Sequence, residues 1–309
     1  MTGEGQRRLT PHSRVALALA AVYLIWGSSY LATKVMVSAE PPLLAAGLRF
    51  LLAGLLLGAF AWWRTGPPKL GPDEFRHVAI VAFGSIVVSN GCNVLGMQYV
   101  ASNVAALLNA TPALIIPWLG TFGQRASPLA GPAKAGLALG ILGVALVLAP
   151  RDTSAAGSLL WPGVILVGCV GWSLGTIHFR NATIRNAPTM FLSLQMLAGG
   201  AALLGCAALA GESFSMRWTL PGTAAFLWLT VMSSCVAYSA YSFLARNTTP
   251  VLVGTYGYVN PAIAALLGWL ALGEMLTVVQ VAGMLVILVA IALVTGFAGR
   301  WVRLPRAGG

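Results

Sequence analysis

LIWGSSYLATK, residues 24–34, and VGWSLGTIHFR, residues 170–180, are two versions of one segment. Trp26 and Trp172 stand 146 positions apart, and so do Lys34 and Arg180. The next segments keep that register, LRFLLAG (48–54) matching LQMLAGG (194–200). Further on, NATPALI and YVNPAIA place Pro112 and Pro261 at an offset of 149. Gly123-Gln124 and Gly273-Glu274 follow at 150, and Ala135-Gly136 and Ala282-Gly283 at 147. The chain is a duplication with small loop insertions.

Each copy consists of apolar runs. A helix of about 20 apolar residues crosses the roughly 30 Å hydrocarbon core of a bilayer. Residues 15–297 contain ten such runs, at 15–37, 42–62, 75–97, 101–122, 131–149, 160–180, 187–210, 221–245, 250–272 and 277–297. Links between them carry prolines (Pro41-Pro42, Pro67-Pro68, Pro188, Pro221, Pro250) that fit a helix's first turn, where the N–H has no helical partner. Composition agrees: 58% of residues are hydrophobic and only 8% charged, with a mean hydropathy of +0.84. A backbone inside lipid must satisfy its own polar groups, so the runs are helices.

The formal charge of +11 does not point to nucleic acid, because the basic residues are spread over short links and tails. Counted by side, 14 Lys and Arg fall on the side of the termini and 2, Arg151 and Arg217, on the other. Lys34 and Arg49 lie within runs. This bias predicts both termini in the cytoplasm and requires an even number of spans. Five spans per copy is odd, so the second copy enters the membrane inverted. The expected fold is therefore an all-α membrane protein, ten transmembrane helices arranged as two inverted five-helix repeats around a central cavity, the architecture of secondary transporters. The expected organisation is a cytoplasmic tail (1–14), a first repeat (15–149), a linker (150–159), a second repeat (160–297) and a cytoplasmic tail (298–309). The four cysteines fall inside apolar runs without a CxxC pair and read as small packing residues.

Several segments resemble the drug/metabolite transporter superfamily, in particular its EamA-type members. They are Trp26-Gly27-Ser28-Ser29 with Lys34, Leu48-Arg49-Phe50, Asn109 with Thr111 and Pro112, Asn260-Pro261, and Gly273-Glu274. The resemblance covers residues 15–297. It implies a ten-helix carrier of small metabolites. Within the family the chain is similar to YddG-type bacterial exporters of aromatic and other neutral amino acids. Where many relatives carry Gly-Glu in the first repeat, this chain has Gly123-Gln124.

Polar residues inside spans are the candidates for function, since burying them in lipid is costly. Arg49 either faces the bundle and holds a carboxylate or an inter-helix carbonyl, or caps broken backbone; its repeat counterpart is Gln195. Lys34 and Arg180 stand near helix ends and can snorkel to the headgroups. Asn90 and Asn93, with Met97, form one helical face offering amides to a zwitterion, or else inter-helix hydrogen bonds. Tyr238 and Tyr241 form a comparable face in the eighth run. Asn109, Thr111 and Pro112 in the fourth run, and Tyr256, Tyr258, Asn260 and Pro261 in the ninth, mark helices broken at matching points, where substrate sites form in such carriers. Trp26, Tyr30 and Trp172 are candidates for stacking on an apolar substrate. His178 reads as a proton carrier or as a packed neutral side chain. The expected substrate-binding set is Trp26, Tyr30, Asn90, Asn93, Asn109, Trp172, His178, Tyr238, Tyr241, Tyr256 and Asn260, with Pro112 and Pro261 as hinges and Lys34 and Arg49 as structural or charge-pairing groups.

None of the seven acids falls at the centre of a run. Proton-driven exporters usually place a carboxylate there. The expectation is an amino acid exporter working by facilitated diffusion without obligatory proton coupling, as a monomer in a bacterial inner membrane. The alternative is a proton-coupled drug carrier or a nucleotide-sugar carrier of the same superfamily. A membrane enzyme would need clustered catalytic groups, and His12, His77 and His178 are scattered. No cofactor, metal or nucleic acid is expected; the partners are a small-molecule substrate and the bilayer.

Overall fold

The computed structural model describes residues 11–119, 121–122, 131–148, 159–248 and 250–295. Residues 1–10, 150–158 and 298–309 of the expected tails and linker, and Gly123-Gln124, lie outside these residues; the first helix begins at Pro11, inside the expected tail. Among the described residues the chain forms ten helical spans: α1 (11–39), α2 (Pro42–Thr65), α3 (Pro72–Met97), α4 (Ser102–Leu119), α5 (Gly131–Val147), α6 (Leu160–Asn181), α7 (Pro188–Leu209), α8 (Leu220–Asn247), α9 (250–272) and α10 (Val278–Thr295). Pro42, Pro72, Pro188 and Pro221 stand in the first turns of their helices. This fixed φ is preorganised for a helix start.

The packing pairs equivalent helices across a pseudo-two-fold axis. α2 packs along α7, and α5 along α10. Glycines bring both pairs to backbone contact. A Cβ on Gly47 would lie 3.1 Å from the Gly200 carbonyl oxygen, and one on Gly200 would lie 2.9 Å from that of Gly47. Gly143 and Gly283 repeat this reciprocal approach at 3.1 and 2.9 Å. Small residues serve helix contacts in membranes because lipid supplies no hydrophobic drive between apolar faces. The remaining contacts exchange in the same way: α1 meets α8 and α9, while α6 meets α3 and α4.

Successive helices alternate in direction, and side-chain contacts collect at two ends. At the end opposite the start of α1, here the far end, loop carboxylates grip backbone N–H groups of the other repeat. Glu40 accepts from Arg217 N and Trp218 N at 2.7 and 2.9 Å. Glu212 accepts from Leu43 N and Leu44 N at 3.1 and 2.9 Å. Glu274 accepts from Ser102 N, Ser102 Oγ and Asn103 N at 2.9, 2.7 and 3.1 Å. The first N–H groups of a helix have no internal partner and favour negative charge. Lys34 does not snorkel to the headgroups. Its ammonium donates to the carbonyls of Met97, Gln98 and Val100 at 2.8, 3.2 and 3.0 Å, where α3 ends. Those carbonyls are orphaned by the helix end and draw the cation inward. At the amino-terminal end Glu74 accepts from Arg185 N, Asn186 N and Asn186 Nδ2.

Three helices contain π segments: Val22–Trp26 in α1, Phe83–Val88 in α3 and Trp228–Ala237 in α8. The last two occupy corresponding places in the repeats. The helix breaks differ from the expectation of two matched prolines. α4 is broken at residues 109–111, directly before Pro112. The Leu108 carbonyl, which Pro112 cannot serve, instead accepts from Thr111 N, Thr111 Oγ and Cys169 Sγ at 3.0, 2.7 and 3.4 Å. α9 is broken earlier, at Thr255, and Pro261 sits inside the helical stretch Tyr256–Leu272. Pro261 therefore does not mark the break of α9.

Candidate functional site

A cavity of about 110 Å³ opens between α1, α2, α3, α4, α6, α8 and α9, displaced towards the far end. Its position follows from the helix starts and the broken α4. The turn at 109–111 leaves Asn109 and Pro112 on the wall, and the π segment of α8 contributes Ser233 and Ser234. π segments recur at functional sites because an extra residue per turn redirects the side chains that follow.

The floor, on the amino-terminal side, is aromatic. The Trp26 ring centroid lies 5.7 Å from Trp172, 5.9 Å from Tyr238, 5.1 Å from Tyr241 and 5.7 Å from Tyr256. Three of these contacts are edge-to-face, the arrangement that brings a ring's positive edge to its neighbour's negative face. The repeat-related Trp26 and Trp172 thus touch at the centre of the molecule. The Trp26 indole N–H donates to the Ser233 carbonyl at 3.4 Å.

The polar wall comes from α2, α3 and α4. Arg49 is 4% exposed. Its Nη2 donates to Asn90 Oδ1 at 3.1 Å, its guanidinium lies 4.3 Å from the Phe50 ring centroid, and its Nε is buried without a partner. Among the described contacts it caps no backbone carbonyl, and its acceptor on the neighbouring helix is the Asn90 amide oxygen. Asn90 Nδ2 in turn donates to the Ser85 carbonyl, in the π segment of α3. Asn109 Nδ2 donates to Asn93 Oδ1 at 2.9 Å and to the Ala105 carbonyl at 2.8 Å, while Asn93 Nδ2 faces Met97 Sδ at 3.4 Å. The amides are oriented by one another and by helix backbone, which presets them for a ligand. Among the described residues no carboxylate lines the cavity, and no three His, Cys, Asp or Glu side chains converge as a metal site would need.

Of the expected residues, Trp26, Tyr30, Arg49, Asn90, Asn93, Asn109, Pro112, Trp172, Tyr238 and Tyr256 line this cavity. Five expected residues do not, Lys34 among them, since its ammonium is held at the end of α3. Tyr241 packs behind Trp26, on the amino-terminal side. His178 pairs with His77 at 2.9 Å between Nε2 and Nδ1, near the amino-terminal end. Asn260, 2% exposed, is buried within α9 with both amide atoms unpartnered. Pro261 follows it, off the wall. Ser29, Thr33, Phe50, Ser89, Leu229, Ser233 and Ser234 complete the lining and were not among the expected site residues, although Ser29 and Phe50 belong to the motifs of the resemblance. Helical spacing signals two of them: Ser29 and Thr33 fall three and seven positions after Trp26, on one face of α1.

The EamA-like transporter family model matches twice, over residues 13–149 and 159–296. The chain belongs to the EamA-like transporter family. It is a membrane transporter with a small-molecule substrate, not an enzyme. It is 34% identical over 281 residues to the uncharacterized inner membrane transporter YedA of Escherichia coli (strain K12), spanning 90% of this chain and 89% of that one. It is 29% identical to the uncharacterized transporter YvbV of Bacillus subtilis (strain 168), over 92% of both chains. The WAT1-related protein At3g02690, chloroplastic, of Arabidopsis thaliana is 26% identical over 89% of this chain and 68% of its own. A crystal structure of another protein has the same fold, with a TM-score of 0.68 at 19% identity, covering 93% of this chain and 99% of that one.

Proposed function

We propose that this EamA-family transporter exports neutral amino acids, aromatic ones among them, from the cytoplasm by alternating access. The observation that carries the reading is the cavity's chemistry. One buried guanidinium with an unpaired Nε faces three asparagine amides and a floor of aromatic rings. Arg49 suits a carboxylate through a charge-assisted hydrogen bond. The amide oxygens of Asn93 and Asn109 suit an ammonium group, and the rings suit an apolar side chain. A phosphorylated sugar or nucleotide would call for more than one cation in the cavity. The volume of about 110 Å³ is below the roughly 300–1,000 Å³ of ordinary ligand pockets, so larger amino acids require the cavity to widen.

The protein acts as a monomeric facilitator without obligatory proton coupling, since no carboxylate among the described residues stands in the cavity to carry a proton. It lies in the inner membrane, as the name of the YedA relative suggests. Its amino-terminal end faces the cytoplasm: Arg14, Arg64, Lys69, Arg76, Lys134, Arg180, Arg185 and Arg246 fall at that end against Arg217 at the far end. Counterflow of labelled amino acids in proteoliposomes tests the reading. Flux of phenylalanine and smaller neutral amino acids persists when the proton gradient is collapsed, and Arg49→Gln slows it about tenfold or more. Strict dependence on an imposed pH gradient refutes the facilitator, and absence of flux for every amino acid refutes the substrate class.

A further inference from the structure

On the other side of the aromatic floor lies a second chamber, between α3, α6, α7 and α8, with a volume of about 20 Å³. Trp172 and Tyr238 belong to the walls of both spaces. Gln195 and Ser242 line the second and are 1% and 2% exposed. Gln195 Oε1 and Ser242 Oγ are buried without a hydrogen bond of good geometry, Gln195 lying beside the Tyr238 hydroxyl; the Trp172 indole nitrogen lies beside the Tyr241 and Tyr256 hydroxyls. Polar groups left unsatisfied within a membrane interior are costly, and Gln195 Oε1 and Ser242 Oγ around one small space form a wall suited to a polar ligand atom.

The two spaces are built from the same positions of the two repeats. Trp26, Ser29 and Tyr30 of the central cavity correspond, 146 positions on, to Trp172, Gly175 and Thr176 of the chamber. Thr33 corresponds to Phe179 in the same way. The helices exchange roles as well: Leu229 and Ser233 of α8 line the cavity, and Val81 and Ser85 of α3, 148 positions earlier, line the chamber. The chamber is therefore the pseudo-two-fold image of the cavity, with about 20 Å³ where the cavity has about 110 Å³. The likeness is one of position, and one of the chemical differences concerns charge. Where the cavity has Arg49, the chamber has Gln195.

We propose that this chamber is a second substrate subsite, opening to the amino-terminal face, which holds the substrate's polar head through uncharged groups where the cavity offers a guanidinium. For the identity of the substrate this rests on the amino acid reading above. The consequence is an asymmetry between faces. A carboxylate is gripped by charge from the far side and only by neutral hydrogen bonds from the amino-terminal side. Charge-assisted hydrogen bonds are roughly twice as strong as neutral ones.

The test uses the full chain in vesicles of one orientation, with labelled phenylalanine and phenylalaninamide, which lacks the carboxylate. The ratio of their KM values is measured from each face. The acid is preferred about tenfold at the far face and not at the amino-terminal face. Gln195→Arg creates that preference at the amino-terminal face alone. Equal preference at both faces in the unaltered protein, or a change in both ratios alike with Gln195→Arg, overturns the proposal. A second measurement does not depend on the substrate or on that variant. Ser242→Cys is modified by a small methanethiosulfonate reagent added at the amino-terminal face, and Ser234→Cys, in the cavity, by reagent added at the far face, each read by mass of the labelled peptide. No modification of Ser242→Cys from the amino-terminal face overturns the chamber as a subsite. Modification there without any phenylalanine flux supports the chamber and refutes the amino acid reading instead.

Discussion

Glu40 and Asn186 are repeat counterparts, 146 positions apart, and they hold opposite ends of the molecule in different ways. Glu40, between α1 and α2, grips the backbone before α8 by itself, with both carboxylate oxygens. Asn186, between α6 and α7, grips the Lys69 backbone with its amide, accepting from Lys69 N at 2.8 Å and donating to Lys69 O at 3.0 Å. It is in turn held by Glu74. A carboxylate only accepts, so one residue suffices where the partners are N–H groups; an amide pairs with both groups of a peptide and leaves room for a second anchor. The far end is thus fixed by three separate carboxylates and the amino-terminal end by one linked cluster.

That contrast can be broken at either end. The largest effect is expected from Glu74→Ala, which removes a 2%-exposed carboxylate, strands three donors and loosens Asn186 with them. A loss of about 3 kcal/mol, read as a lowered thermal midpoint in detergent, is the expected outcome. Glu40→Ala strands two backbone donors at a 4%-exposed site and should cost about 2 kcal/mol by the same measurement. Glu40→Gln sharpens the comparison. It keeps one acceptor oxygen and should cost about 1 kcal/mol, unless charge itself is what holds the far end, in which case it matches the alanine variant. Lys34→Met should have the smallest effect, about 1 kcal/mol or less, because the group is only half-buried and water can serve the carbonyls it leaves.

The ten spans were readable because lipid imposes length and apolarity together, and the family match follows from the doubled motifs in their order. The break before Pro112 was readable for a local reason, the missing N–H. Pro261 misled for the same reason: inside α9 the lost hydrogen bond does not interrupt the helix, and the break falls at Thr255, where the sequence has no comparable signal. Two kinds of feature could not be read locally. The π segments of α3 and α8 depend on how the following turns pack, which composition does not encode. The carboxylate grips join residues more than 100 positions apart, so each acid looks like an ordinary loop charge until the other repeat is placed beside it. The cavity was legible where large or amide side chains announced it, as with Trp26 and Asn90, and hidden where serines and Thr33 supply the wall.

The paired glycines of α2 with α7 and of α5 with α10 restrict how the transporter can work. A carbonyl oxygen of the partner helix lies there about 3 Å from the place a Cβ would take on each glycine, and each seam joins one repeat to the other. Tilting one entire five-helix unit over its twin would slide both seams and bring side chains to places where only glycine fits. A transport cycle that keeps both seams intact moves smaller blocks between two rails, with the interrupted α4 and α9 as natural places to bend.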